Sequence, residues 1–267
     1  MSTLHSAWEG KRHVVIGMLH LLPLPEAPRF GGDLNAICDV LLRDAQALAK
    51  GGVHGLMMEN FGDVPFYPGR VPRRTVDNMR SLAGAVRKEV DLPLGINVLR
   101  NDGLSALAIA HATGASFIRV NVLSGARVTD QGLIQGIAHD LLRERNKLGA
   151  NHIRIFADVD VKHSAPLAAR PIEDEVDDLI ERALADAIVV SGAGTGKPTD
   201  TEKTRKVKAA AGNTPVFIGS GITAETVRQF LDTADGFIVG TALKQDGVAT
   251  NPVDIERVKR LMGMVGS

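Results

Sequence analysis

The densest run of chemically capable side chains is I-R-I-F-A-D-V-D-V-K-H, residues 153–163. Ile153, Ile155, Ala157, Val159 and Val161 alternate with Arg154, Phe156, Asp158, Asp160 and Lys162, the period of a β-strand with two unlike faces. Two carboxylates and an amine on one face can exchange protons with a bound molecule, because close charges shift one another's pKa. Lys162 is also a candidate Schiff-base lysine of the class I aldolase kind. The two acids beside it instead favour the protonated ammonium, a poor nucleophile. Asp158, Asp160 and His163 together carry donors suited to Mg²⁺ or Mn²⁺. Strand parity sets His163 opposite both acids, so the spacing does not establish a divalent metal, and no cofactor is required by it.

Neighbouring runs send polar groups the same way. In F-I-R-V-N-V (117–122) the apolar Ile118, Val120 and Val122 leave Arg119 and Asn121 on the other face, and Ile96 and Val98 leave Asn97. His20 and Glu59 close the runs V-V-I-G-M-L-H and G-L-M-M-E, Asn60 follows Glu59, and Ser191 closes A-I-V-V. Glu59, Asp158, Asp160 and Lys162 are therefore catalytic candidates. His20, Asn60, Asn97, Arg119, Asn121, His163 and Ser191 are candidates for substrate binding. The competing explanation for Arg119, Asn121 and Asp158 is a charge layer paired for its own sake.

The elements that position these groups recur along the chain. Short apolar runs lie at 14–20, 55–61, 92–99, 117–122, 153–161, 187–192, 216–222 and 236–241, each too short for a helix and apolar enough to be covered on both sides. Helix-like stretches fill the gaps at 34–50, 73–90, 103–112, 131–148, 172–184, 200–210, 224–232 and 252–264. Eight strands alternating with eight helices over 267 residues predict a single α/β domain, a closed (β/α)₈ TIM barrel, with residues 1–12 as an N-terminal extension. A doubly wound open sheet is the alternative, but it needs polar edge strands that none of the runs supplies. The long Pro- and Gly-rich connections 21–33 and 62–72 fall at the C-terminal mouth, where barrels keep their chemistry, and suit a lid or binding role.

The last two runs end in glycine turns, I-G-S-G-I-T-A (218–224) and I-V-G-T-A-L-K (238–244). Glycine lets a backbone approach an anion, and the N–H groups of a helix beginning near Ala224 would point at it. Gly219, Ser220, Gly221, Gly240 and Thr241 are thus predicted to hold a phosphate, with Lys244 or Lys197 adding charge. S-G-A-G-T-G-K-P (191–198) is not a Walker A motif: only three residues separate Gly192 from Gly196, and Pro198 follows the lysine. It reads as a ligand-closing loop, which adds Gly194 and Lys197 to the phosphate candidates.

Lysine plus arginine and aspartate plus glutamate number 31 each, so no overall charge directs the chain to nucleic acid or an anionic membrane. Cys38 is the one cysteine, which excludes an intrachain disulfide and fits a reducing compartment. No signal-peptide pattern and no apolar run of transmembrane length is present. A cytoplasmic protein with a phosphorylated small-molecule ligand is expected, and a homo-oligomer is compatible with this.

Several long irregular stretches resemble the BtpA family: G-M-L-H-L-L-P-L-P (17–25), E-N-F-G-D-V-P-F (59–66), G-I-N-V-L-R-N-D (95–102), F-I-R-V-N-V-L-S-G-A-R-V-T-D-Q-G (117–132) and A-D-V-D-V-K-H-S-A-P-L (157–167). The resemblance implies a ribulose-phosphate-binding type of barrel and, from the role that named the family, photosystem I accumulation with peripheral membrane association. A more distant similarity to the tryptophan synthase alpha chain implies that Glu59 transfers protons with Asp63 as its partner. Three functions follow. The first is an acid–base enzyme (isomerase, lyase or glycosyl-bond hydrolase) acting on a phosphorylated sugar or nucleoside-like metabolite. The second is a Schiff-base aldolase using Lys162, and the third a non-catalytic photosystem I assembly factor. Inward polar groups favour an enzyme, since a scaffold has no need to bury charge.

Overall fold

The computed structural model describes residues 4–192, 194 and 199–266. Eight parallel strands close a barrel: β1 (Val14–His20), β2 (Gly55–Glu59), β3 (Leu94–Asn97), β4 (Phe117–Val120), β7 (Arg154–Val159), β9 (Ala187–Val190), β10 (Val216–Ile218) and β11 (Gly236–Val239), with β11 pairing back onto β1. The remaining strands, β5 (Ala126–Thr129), β6 (Gly132–Gln135) and β8 (Ser164–Pro166), form a small antiparallel sheet in the loops that follow β4 and β7. The outer helices are α1 (Leu34–Gly51), α2 (Arg73–Glu89), α3 (Gly103–Thr113), α4 (Ala138–Lys147), α5 (Ile172–Asp177), α6 (Thr201–Ala211) and α7 (Ile255–Val265).

Alternate strand residues divide the interior from the outer layer as the period of two requires. Ile118, Val120, Ile155, Ala157 and Val159 join the layer between sheet and helices. Phe117, Phe156, Phe217, Val189 and Ile238 fill the barrel itself. The segment before β1, expected as an extension, belongs to this interior: Leu4 and Trp8 are buried in it, and Trp8 packs against Phe117 at 5.7 Å between rings. Four aromatic rings fit because glycines stand beside two of them. A Cβ on Gly95 would lie 2.2 Å from the Phe117 ring, and one on Gly236 would lie 2.4 Å from Phe217.

Three predicted helices differ. The stretch 131–148 begins as strand β6, because Gly132 at φ +91° turns the chain back onto β5, and α4 starts only at Ala138. The stretch 172–184 is α5 followed by a π turn, Asp178–Arg182. The stretch 224–232 holds only a 3₁₀ turn, Val227–Phe230. There the Thr223 hydroxyl accepts from the amides of Glu225 and Thr226, and the Thr226 hydroxyl accepts from the Thr223 amide, a capping box whose helical turn ends at Phe230.

Candidate functional site

Above the aromatic floor the same strands turn polar. Arg119 follows Phe117 by two residues on β4, and Asp158 follows Phe156 on β7, so each pair shares an inward face at successive heights. Arg119 forks onto Asp158, Nη2 to Oδ1 at 2.7 Å and Nε to Oδ2 at 3.0 Å. Asn121 Nδ2 donates to Oδ2 at 2.6 Å and Ser191 Oγ to Oδ1 at 3.0 Å. Four donors fill the acceptor positions of one carboxylate. Asp158 was expected as a catalytic acid or base; its geometry instead makes it the group that holds Arg119, with Asn121 and Ser191 as its supports. Removal of Arg119 from water works against its charge, but Asp158 raises the guanidinium pKa above the ordinary value.

Glu59 sits beside this layer. Asn97 Nδ2 donates to Glu59 Oε2 at 2.6 Å, while Oε1 has no hydrogen-bond partner among the described residues. His20 lies alongside, stacked on Phe61 with ring centroids 4.4 Å apart. Its Nδ1 is 3.3 Å from the Ala249 carbonyl, which can only accept, so Nδ1 carries the hydrogen of that contact and Nε2 keeps its lone pair. Desolvation, opposed in part by Glu59, pulls the imidazole down to about 4, so His20 is neutral at pH 7. Lys162 is half-buried, and its side-chain amine makes no hydrogen bond or salt bridge among the described residues. Desolvation first and Arg119 second hold its ammonium below the ordinary lysine value, with Glu59 and Asp158 working against them. The neighbouring acids do favour the charged amine, as expected, but desolvation and Arg119 outweigh them.

Asp160 does not join Lys162. Strand β7 stops at Val159, and Asp160 takes a left-handed φ of +48° that breaks the alternation. Its carboxylate accepts from Arg127 at 2.9 Å and from Lys203 at 2.5 Å, and Arg127 also donates to Glu175. This network borders a separate cavity of about 190 Å³. With Asp158 saturated and Asp160 turned away, Asp158, Asp160 and His163 do not make a metal site. Among the described residues no group of three or more His, Cys, Asp or Glu is arranged to hold one.

The two long loops are tied together. Asp63 Oδ1 accepts from the Leu24 amide at 2.8 Å and its Oδ2 from Asn60 Nδ2 at 3.1 Å, while Asn60 Oδ1 accepts from the Leu99 amide at 2.7 Å. Asn60 and Asp63 therefore brace the loops rather than border the cavities. Burial raises the Asp63 pKa against these hydrogen bonds.

A cavity of about 510 Å³ joins the polar layer to the glycine turns: Glu59, His20, Arg119 and Lys162 line one side, and Gly219–Glu225 with Gly240–Leu243 the other. The Gly219 amide is used, donating to the Val190 carbonyl at 2.8 Å. The amides of Ser220, Gly221, Gly240 and Thr241 have no hydrogen-bond partner among the described residues. The Ser220 hydroxyl accepts from the Gly192 amide at 2.7 Å, bracing the two loops. Gly194 is buried, and Lys197 lies outside the described residues. Lys244 does not reach the cavity: it is buried against Asp44 at 2.5 Å. The cations on this side come instead from α7, where Arg257 and Arg260 line the cavity and Arg260 contacts Glu225 at 2.8 Å. A second cavity of about 570 Å³ shares Glu59, Arg119 and Lys162 and continues toward Phe61, Phe66 and Arg100.

Closed parallel sheet, aromatic floor and polar C-terminal mouth define a TIM barrel with a preformed cleft. The chain belongs to the BtpA family, whose pattern matches residues 11–267. It is 48% identical over 244 residues to the photosystem I biogenesis protein BtpA of Synechocystis, covering 91% of this chain and 85% of that protein. It is 47% identical over 252 residues to an uncharacterized protein of Thermococcus kodakarensis, covering 94% and 95%. The fold is similar to tryptophan synthase from M. tuberculosis, with a TM-score of 0.61, 17% identity and coverage of 99% and 97%. No helix among the described residues is long and apolar enough to cross a membrane.

Proposed function

We propose that the barrel is a cytoplasmic enzyme acting by acid–base catalysis on a phosphorylated small molecule. The phosphate is received by the turns after β10 and β11, and the reacting atoms lie at Glu59 and Lys162. One observation carries the reading: main-chain amides, a carboxylate oxygen and an amine, all without hydrogen-bond partners among the described residues, line one cavity together with two α7 arginines. Unpaired main-chain N–H groups at a concave wall suit an anion, and here they belong to turns rather than to a helix start. Neutral His20 can accept a proton at Nε2, and Glu59 Oε1 can give or take one. Asp158 acts through Arg119, whose guanidinium borders both cavities.

A second reading is favoured by Lys162. An amine held below its ordinary pKa, near a cleft, is poised to attack a carbonyl and form a Schiff base. For the assembly role carried by the Synechocystis relative's name, an outer surface would suffice, and the buried charge of the mouth would have no task.

The test is ¹H and ³¹P NMR of the native chain with a panel of phosphorylated sugars and nucleotides, repeated with Glu59→Gln and with borohydride. Turnover that falls by about 10²–10⁴ in Glu59→Gln supports the acid–base enzyme. Covalent mass trapped at Lys162 promotes the aldolase. A panel left untouched, or a fully active Glu59→Gln, removes the acid–base reading.

A further inference from the structure

Three arginines are buried among the described residues, Arg100, Arg119 and Arg127, and two of them have carboxylates. Arg119 forks onto Asp158, and Arg127 contacts Asp160 and Glu175. Arg100 is 4% exposed and has no salt bridge among the described residues; its one side-chain hydrogen bond to them runs from Nη2 to the Lys162 carbonyl at 2.5 Å. Most of a fork of N–H donors is therefore left over. Burial lowers the Arg100 pKa; Asp158, Asp130 and Glu59 act against this from a distance, but none forms an ion pair with it, so an anion placed at its free donors would complete the site. Asp130, on the turn between β5 and β6, lines the same cavity but is exposed and not within ion-pair distance.

The surroundings of Arg100 narrow the choice. The cavity walls on its side are Phe61, Val64, Phe66 and Leu99, which suit a flat apolar group. A planar fork at the end of an apolar slot matches a carboxylate in the plane of such a group better than a second phosphate, which would call for more donors. We propose that Arg100 seats a planar carboxylate, so that the ligand is an aromatic or similarly flat carboxylate joined to a phosphorylated moiety. The carboxylate seat stands on the Arg100 geometry, and only its union with a phosphate rests on the function proposed above. A ligand spanning both cavities would carry the bond between its halves past Glu59, Arg119 and Lys162, the residues that the cavities share.

The experiment titrates the native chain separately with benzoate, with benzamide as its neutral isostere, and with inorganic phosphate, followed by calorimetry and amide NMR. Benzoate is expected to bind about tenfold or more tighter than benzamide, the worth of a charge-assisted hydrogen-bond pair. In Arg100→Met the preference is expected to vanish while phosphate affinity stays unchanged. Benzoate binding no tighter than benzamide, or a preference that survives Arg100→Met, overturns the carboxylate seat. Should Arg100→Met fail to fold, the benzoate-to-benzamide ratio of the native chain decides alone. Phosphate binding without a benzoate preference sinks only this inference; a benzoate preference without phosphate binding sinks only the phosphate half of the proposed function.

Discussion

The floor and the mouth of the barrel are built from the same strands, two residues apart, and behave as different materials. Phe117 and Phe156 below are stacked at 4.7 Å between centroids, and Arg119 and Asp158 above are paired at 2.7 Å. Below, close packing excludes water, and glycines give way to rings. Above, groups without partners among the described residues (Glu59 Oε1, the Lys162 amine, most of the Arg100 fork) line open space. Strand parity selects the inward face in both places; height along the strand decides whether that face is filled by the chain or left for a ligand.

The largest expected effects set the two levels side by side. Phe156→Ala should cost about 3–5 kcal/mol in urea unfolding through the cavity it leaves. Asp158→Ala should cost a similar 3–5 kcal/mol or so by stranding the buried Arg119 charge. They should separate in binding: the floor variant keeps its affinity for phosphorylated ligands, and the Asp158 variant loses it. Equal loss in both would erase the distinction between floor and mouth.

Gly95→Ala probes the fit of the floor. Its Cβ would meet the Phe117 ring, so overpacking of about 1–3 kcal/mol is expected, again with no change in binding. Asp160→Asn should cost less, under about 1 kcal/mol, because its carboxylate is 39% exposed and its ion pairs are partly screened. A loss as large as that of Asp158→Ala would show that the Arg127–Asp160–Lys203 network belongs with the mouth after all.

The finest test is spectroscopic. His20 is held at about 4 against 6.5 for the free side chain, so between those values the unfolded chain binds the extra proton. His20 should therefore contribute stability that is complete above about pH 6.5 and lost as the pH falls toward 4. Its NMR ring signals should remain those of neutral imidazole, with Nδ1 protonated, down to about pH 5. Titration near 6.5 would place His20 in open solvent, not in the mouth.

The barrel was legible because each strand is a short apolar run, most of them rich in Val or Ile, and the inward face was legible in β4 and β7 because Ile, Ala and Val hold every other position there. Local patterns failed where tertiary partners took over. Asp160 reads as one more inward residue, but the strand ends before it. Lys244 reads as a phosphate ligand, but Asp44, 200 residues away, buries it. T-A-E-T-V-R-Q-F reads as a helix, but beyond its capped start only the 3₁₀ turn Val227–Phe230 forms. Arg257 and Arg260 come to the cavity from the last helix, and Arg100 from the loop after β3. No spacing along the chain could bring them together with Glu59.

The central claim is that the turns after β10 and β11 receive the ligand's phosphate. The most direct measurement is a phosphate titration of the native chain read by backbone amide shifts. The account predicts that the amides of Ser220, Gly221, Gly240 and Thr241 move together and saturate, while Gly219, already bonded to Val190, moves little. Amides that stay still at saturating phosphate, or a response confined to another part of the barrel, would contradict it.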